Sequence, residues 1–230
     1  MAPQQPVILL SRELPELFTA ALTNLGEVRV AGSQPDEASL AGATVYLATG
    51  VDPVTMELIQ RFPDSLGLIA NIATGVDNID LKAAAVRGIA VSNTPVVTED
   101  TADLTIALML AACRKLSASE RALRAGDWER GAAQLGARVH GKTLGIVGLG
   151  AIGQAVARRA AAFDMTVMYH GPNPKPEAEA ELEIEYRASL PALLGVADIV
   201  SLNCPLTESS YHLMNASMLG KMKSGAILIN

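Results

Sequence analysis

The chain has 230 residues, half of them hydrophobic but only 3% aromatic, with a formal net charge of −6. That length suits one large domain or two ordinary ones, and an Ala-, Val-, Ile- and Leu-rich composition suits helices layered on buried parallel strands. A negative chain without a basic run has no electrostatic footprint for nucleic acid or for an anionic membrane.

In chain order, residues 6–11 (PVILLS) predict a strand and 13–24 a helix with apolar residues at helical spacing. Further strands are predicted at 45–49 (VYLAT), 67–72 (GLIANI) and 90–93 (AVSN), with helices at 55–61 and 81–87 between them. The runs are nearly continuous in apolar residues, as in strands covered on both faces. Residues 1–97 therefore read as a parallel αβ domain. From Thr98 to about Arg124 a single long helical pattern follows, capped by Thr98, with Glu99 and Asp100 in its first turn. Residues 125–141 read as a loop holding the only tryptophan, Trp128. The alternation then restarts with a strand at 143–147, a helix at 152–163 and a strand at 165–169. A polar, proline-rich stretch at 171–181 precedes a strand at 184–186, a helix at 190–195, and strands at 199–203 and 226–230. Residues 98–230 thus read as a second doubly wound αβ domain. A chain that stops inside a strand reads as a fragment of a longer protein.

Cys113 and Cys204 lie far apart in apolar stretches, which predicts buried reduced thiols rather than a disulfide or a metal site; no metal is expected. The start, MAPQQPVILLS, has no positive n-region or cleavage pattern, and the longest apolar stretch is too short to span a bilayer. A cytoplasmic protein is the expectation.

The sharpest motif is Gly148-Leu149-Gly150-Ala151-Ile152-Gly153, after the apolar run TLGIV and before a helical pattern. A bare GxGxxG is weak, but a strand-to-helix setting is what dinucleotide binding requires. Gly148 allows the tight turn, Gly150 lets backbone amides approach a pyrophosphate, and Gly153 lets the helix pack on the strand. The helix amino terminus at Ala151 and Ile152 then offers N–H groups to the phosphates. The next strand should end in an acid for the ribose of NAD, yet that place holds Gly171, followed by Asn173 and Lys175. Without a carboxylate to repel a 2′-phosphate, NADP is expected, with NAD still possible. Lys175 reads either as a phosphate contact or as a solvated loop charge.

With these motifs in place, the chain resembles the D-isomer-specific 2-hydroxyacid dehydrogenases, the group containing glyoxylate and hydroxypyruvate reductases. The resemblance runs from about Leu47 to Asn230, through NIATGVDNID, the Asn93–Pro95 hinge, Thr101-Ala102-Asp103-Leu104, LGIVGLGAIG, Pro205-Leu206-Thr207 and MKSGAILIN. It implies two doubly wound parallel-sheet domains. The first, residues 1–97, would be a flavodoxin-like substrate domain, and the second, 98–230, a Rossmann domain, both incomplete. It implies that the backbone amides of Thr74 and Gly75 hold a substrate carboxylate; Gly75 alone would read as a turn glycine. By the same resemblance Thr101, Cys204, Pro205, Ser210 and Asn230 face the cofactor. The family's arginine and its histidine–glutamate pair fall after Asn230, so no catalytic residue is expected within the chain, and the chain alone is expected to be inactive. His140, His170 and His212 read as structural.

The function implied is hydride transfer between NAD(P)H and a small 2-oxo acid such as glyoxylate or hydroxypyruvate. The competing reading is a dinucleotide-sensing, corepressor-like binding protein, whose members usually keep the acid missing here. Phosphite dehydrogenases of the superfamily place a lysine where this chain has Thr74. A cleft between the domains, hinged near 94–98, and a homodimer through the long helix and the Trp128 loop complete the expectations.

Overall fold

Apolar runs too short for helices become strands, and here they build two separate parallel sheets. The structure, a computed structural model, describes residues 5–230. It divides into two units between Val97 and Thr98.

The first unit contains β1 (Val7–Leu10), α1 (Glu16–Thr23), β2 (Glu27–Val30), α2 (Glu37–Leu40), β3 (Val45–Thr49), α3 (Met56–Arg61), β4 (Leu68–Ile72), α4 (Leu81–Val86) and β5 (Ala90–Ser92). The strands are parallel in the order β2-β1-β3-β4-β5. That is the flavodoxin-type order, with its topological switch between β1 and β3. Leu9, Tyr46, Ile59 and Ile69 fill one face of the sheet, and Ile8, Leu10 and Leu47 the other. Asp80 caps α4 by accepting from the Ala83 amide at 2.9 Å.

The second unit contains α5 (Thr98–Cys113), α6 (Leu116–Arg124), α7 (Trp128–Ala132), β6 (Thr143–Val147), α8 (Ala151–Ala161), β7 (Thr166–His170), α9 (Pro176–Leu182), β8 (Glu185–Tyr186), α10 (Leu190–Leu194), β9 (Ile199–Leu202), α11 (Ala216–Leu219) and β10 (Ile227–Ile229). Its parallel order, β10-β9-β6-β7-β8, is the Rossmann arrangement around a central first strand. Successive residues of β6 serve opposite faces: Ile146 joins the cluster beneath α5 and α8, and Val147 the one beneath α10. A side chain at Gly145 would press into Ala197 and Leu193, so that glycine sets how closely α10 packs.

Several elements differ from expectation. The long helical pattern is two helices, broken at Lys115 in the left-handed conformation (φ 53°). Ala137 donates to the Cys113 carbonyl, so a neighbouring segment takes over a bond that the helix would have used. Thr98 lies inside α5 rather than before it. Four-residue β2, EVRV, alternates polar and apolar residues at the sheet edge, and the proline-rich stretch contains α9, with Pro176 at its start. Among the described residues no helix is long and apolar enough to cross a membrane, and no group of three or more His, Cys, Asp or Glu is placed to hold a metal ion.

Candidate functional site

In open parallel sheets ligands gather outside the carboxyl ends of the strands, at the switch point. In the second unit that point lies between β6 and β9, and the glycine loop is built for close approach there. Gly148 has φ +91°, and a Cβ on it would lie 2.7 Å from backbone atoms of Cys204. A Cβ on Gly153 would lie 2.3 Å from the Gly148 carbonyl oxygen. Gly150 caps α8 with open space around its Cα, and Ala151 follows exposed at the first helical position. Ile152 turns inward against the core. Any residue but glycine at 148 or 153 would push the loop away from the strand, so the turn matches a phosphate cradle in shape as well as in sequence.

A cavity of about 670 Å³ opens over this loop. Gly148 and Gly150 floor it; Gly171, Asn173 and Lys175 line one side, and Cys204, Pro205 and Ser210 another. The structure thus gathers most of the expected cofactor residues around one space. Ala151, Ile152, Gly153, Thr101 and Asn230, also expected at the cofactor, lie outside its wall. Lys175 does not stand free: its ammonium donates to the Leu149 carbonyl at 2.7 Å, across the mouth of the glycine loop. Ser210 has a structural task, since its hydroxyl donates to the Pro205 carbonyl at 2.6 Å and accepts from the Thr207 amide at 2.7 Å. Cys204 is only partly buried, contrary to the expectation of two core thiols, because its segment forms the cavity wall.

The wall also holds Tyr169, Tyr186 and His170, the last of these expected to be structural. Tyr186 donates to the Gly171 carbonyl at 3.2 Å and packs on Tyr169 with ring centroids 5.3 Å apart. Tyr169 donates to Glu179 at 2.7 Å and accepts from the Lys175 amide at 2.6 Å. Burial, and then the Glu179 carboxylate, push its pKa up to about 12. His170 lines the cavity with Nδ1 2.9 Å from the Arg187 carbonyl, an acceptor that fixes the ring proton on that nitrogen. An aromatic in a two-residue strand carries no periodic signal, and so Tyr186 was not visible beforehand.

The first unit carries a second constellation at the ends of β1, β3 and β4. Asp52 is buried; it accepts from the Ser11 hydroxyl at 2.6 Å, the Thr49 amide at 3.0 Å and hydroxyl at 2.7 Å, and pairs with Arg12. Burial alone would raise its pKa, but the bonds from Arg12, Ser11 and Thr49 outweigh that and hold it well below the usual carboxylate range. Beside it runs the turn after β4. Its three carbonyls are all engaged: Ala73 by the Thr94 amide (2.9 Å), Thr74 by Asn93 Nδ2 (2.7 Å) and Gly75 by Asn71 Nδ2 (2.9 Å). Among the described residues no acceptor is bonded to the amides of Thr74, Gly75 or Val76. Consecutive amides with their carbonyls turned away form an anion-binding concavity.

Known proteins resemble this chain over almost its whole length. Residues 106–230 match the family model described as D-isomer specific 2-hydroxyacid dehydrogenase, NAD binding domain. The chain is 42% identical to a glyoxylate reductase of Pyrococcus horikoshii, over 98% of this chain and 71% of that protein. The crystal structure of a glyoxylate reductase from Paecilomyes thermophila superposes with TM-score 0.85 at 34% identity, over 98% of this chain and 73% of that one. A D-lactate dehydrogenase from Aquifex aeolicus, solved with NAD and lactic acid, gives 0.86 at 29%, over 97% of this chain and 68% of that one. A fold, a loop and a set of relatives that agree leave one assignment: the chain belongs to the D-isomer-specific 2-hydroxyacid dehydrogenases, with a nicotinamide dinucleotide as its cofactor.

Proposed function

We propose that the protein reduces small 2-oxo acids, glyoxylate and hydroxypyruvate foremost, to the 2-hydroxy acids, with NADPH preferred mildly over NADH. Each turnover converts the 2-oxo acid, reduced dinucleotide and one proton to the 2-hydroxy acid and oxidised dinucleotide. Once bound, the nicotinamide supplies the hydride that reaches the carbonyl carbon. The chain's own work is recognition. The amides of Thr74 and Gly75 hold the substrate carboxylate, and the Gly148–Gly153 loop holds the pyrophosphate. Thr101 and Asn230 are assigned to the cofactor on resemblance alone.

The observation that carries this reading is the Thr74–Gly75 turn, whose carbonyls are all bonded and whose amides, among the described residues, are not. Small carboxylates suit such a turn because two or three oriented N–H groups replace water around one charge. None of His140, His170 and His212 is assigned the proton transfer: His140 pairs with Asp164, His170 faces the Arg187 carbonyl, and His212 stacks on Tyr211. The test is dinucleotide oxidation by the full-length protein, followed at 340 nm with a panel of 2-oxo acids. Equal rates with neutral aldehydes of the same size would refute the assignment.

NADP preference rests on Gly171 standing where an NAD-selective acid would be, with Lys175 on the same cavity wall. A homodimer is supported by apolar surface on α5 to α7, where Leu104, Leu123 and Trp128 are 58%, 62% and 73% exposed. Two unpaired cysteines fit the reducing cytoplasm proposed as the location.

A further inference from the structure

We propose that Asn71 and Asn93 are positioning residues for substrate, acting by aiming the Val76 and Gly75 amides of the turn after β4 rather than by touching the ligand. The proposal rests on the carboxylate reading above and adds the device that makes it work. Asn71 is the penultimate residue of β4 and is 1% exposed, an unfavourable place for an amide unless both its ends are bonded. Its Nδ2 donates to the Gly75 carbonyl and to Asn78 Oδ1, each at 2.9 Å. The Gly75 carbonyl is purely an acceptor, so it fixes which end of the Asn71 amide faces the turn.

Asn78 in turn donates to the Thr49 carbonyl at 3.0 Å and the Asp52 carbonyl at 2.9 Å. The reciprocal Asn71–Asn78 pair therefore ties the turn to the carboxyl end of β3, where the buried Asp52 is held by Arg12, Ser11 and Thr49. A peptide plane anchored by its carbonyl has its amide direction set, because the N–H of the next residue points the opposite way. Asn71 so orients the Val76 amide through the Gly75 plane, and Asn93 orients the Gly75 amide through the Thr74 plane. Thr94 does the same for Thr74 by holding the Ala73 carbonyl. Preoriented donors cost no reorganisation when the anion arrives, and that advantage disappears when the plane swings freely.

The experiment compares KM for glyoxylate and for methyl glyoxylate, its uncharged ester, in the full-length, dinucleotide-loaded enzyme. Asn71→Leu keeps the branched side-chain shape and removes the amide. Asn93→Ala, at an exposed residue, makes the equivalent change without disturbing the core. Both variants are expected to raise KM for the acid on the order of tenfold, as for a lost or misaimed donor to a charged group. KM for the ester and the Kd of the dinucleotide should stay within about twofold. An equal rise for acid and ester would reduce Asn71 to a structural residue and overturn the proposal, as would no rise in either variant. A wild-type enzyme that failed to distinguish acid from ester would remove the carboxylate reading itself, a result separable from failure of the variants alone.

Discussion

At Gly171 a Cβ would meet nothing within 4 Å, and the backbone is outside the left-handed region. Gly171→Asp should therefore fold normally and act only on cofactor choice. Lys175 can offer a 2′-phosphate one exposed ion pair, worth about 1 kcal/mol or less, and it must first leave the Leu149 carbonyl. The native preference for NADPH should accordingly be about fivefold at most and should fade as salt rises. In Gly171→Asp the ratio of kcat/KM for the two dinucleotides should invert, by repulsion of the phosphate and a new bond to the ribose. A wild-type ratio strongly favouring NADH would show the prediction to be wrong. Asp52 makes a pH prediction. Its folded pKa is depressed, so it stabilises the protein above the ordinary carboxylate pKa of about 4, and this contribution is lost as pH falls from there toward the folded value. Tm measured against pH should drop on that acid limb, and Asp52→Asn should flatten the drop while lowering Tm at neutral pH. The glycines of the loop were legible in the sequence because their spacing is itself the constraint. Asp52, Asn71 and Asn78 were not, because their partners come from three strand ends far apart in the chain.

Among the elements, α9 shows why part of the fold escaped prediction. Of its seven residues only Ala178 is buried, so it has no apolar period to read. It is held by polar contacts instead: the Tyr169 hydroxyl to Glu179, and the Lys175 amide to both. Tyr169→Phe should cost about 1 kcal/mol, the usual net value of one such bond. Amide hydrogen exchange should then quicken across residues 175–182, with little change in β6; uniform change across both would argue against a local tether. The edge strand β2 escaped for a related reason, since half of its side chains need no burial. The break at Lys115 was hidden because helix-forming residues continue on both sides, and only the packing of residues 136–137 against the end of α5 interrupts them. Buried β3, β4, β6 and β9, covered on both faces, were plain in the sequence as apolar runs.

For the molecule as a whole, the alternation of strands and helices was enough to name the fold class, two parallel sheets of doubly wound type. Association is a matter of surface. Leu116, Leu123 and Trp128 border an apolar groove of about 390 Å³ between α6 and α7, and Leu104 and Leu108 extend the exposed apolar surface along α5. A second copy is the proposed cover. Light scattering at micromolar concentration should give the mass of a dimer, and Leu123→Asp with Trp128→Ser should shift it to monomer without loss of helical signal. A wild-type monomer at high concentration would count against this surface.

The contact between Gly148 and Cys204 gives the protein a built-in chemical reporter. Cys113 is sealed in the core, and burial pushes its thiol pKa up, whereas Cys204 lies in the cavity wall against the loop. Brief treatment of the native protein with a maleimide should therefore modify a single thiol. Saturating dinucleotide should shield it, so that the labelling rate becomes a direct reading of how much of the cavity is filled.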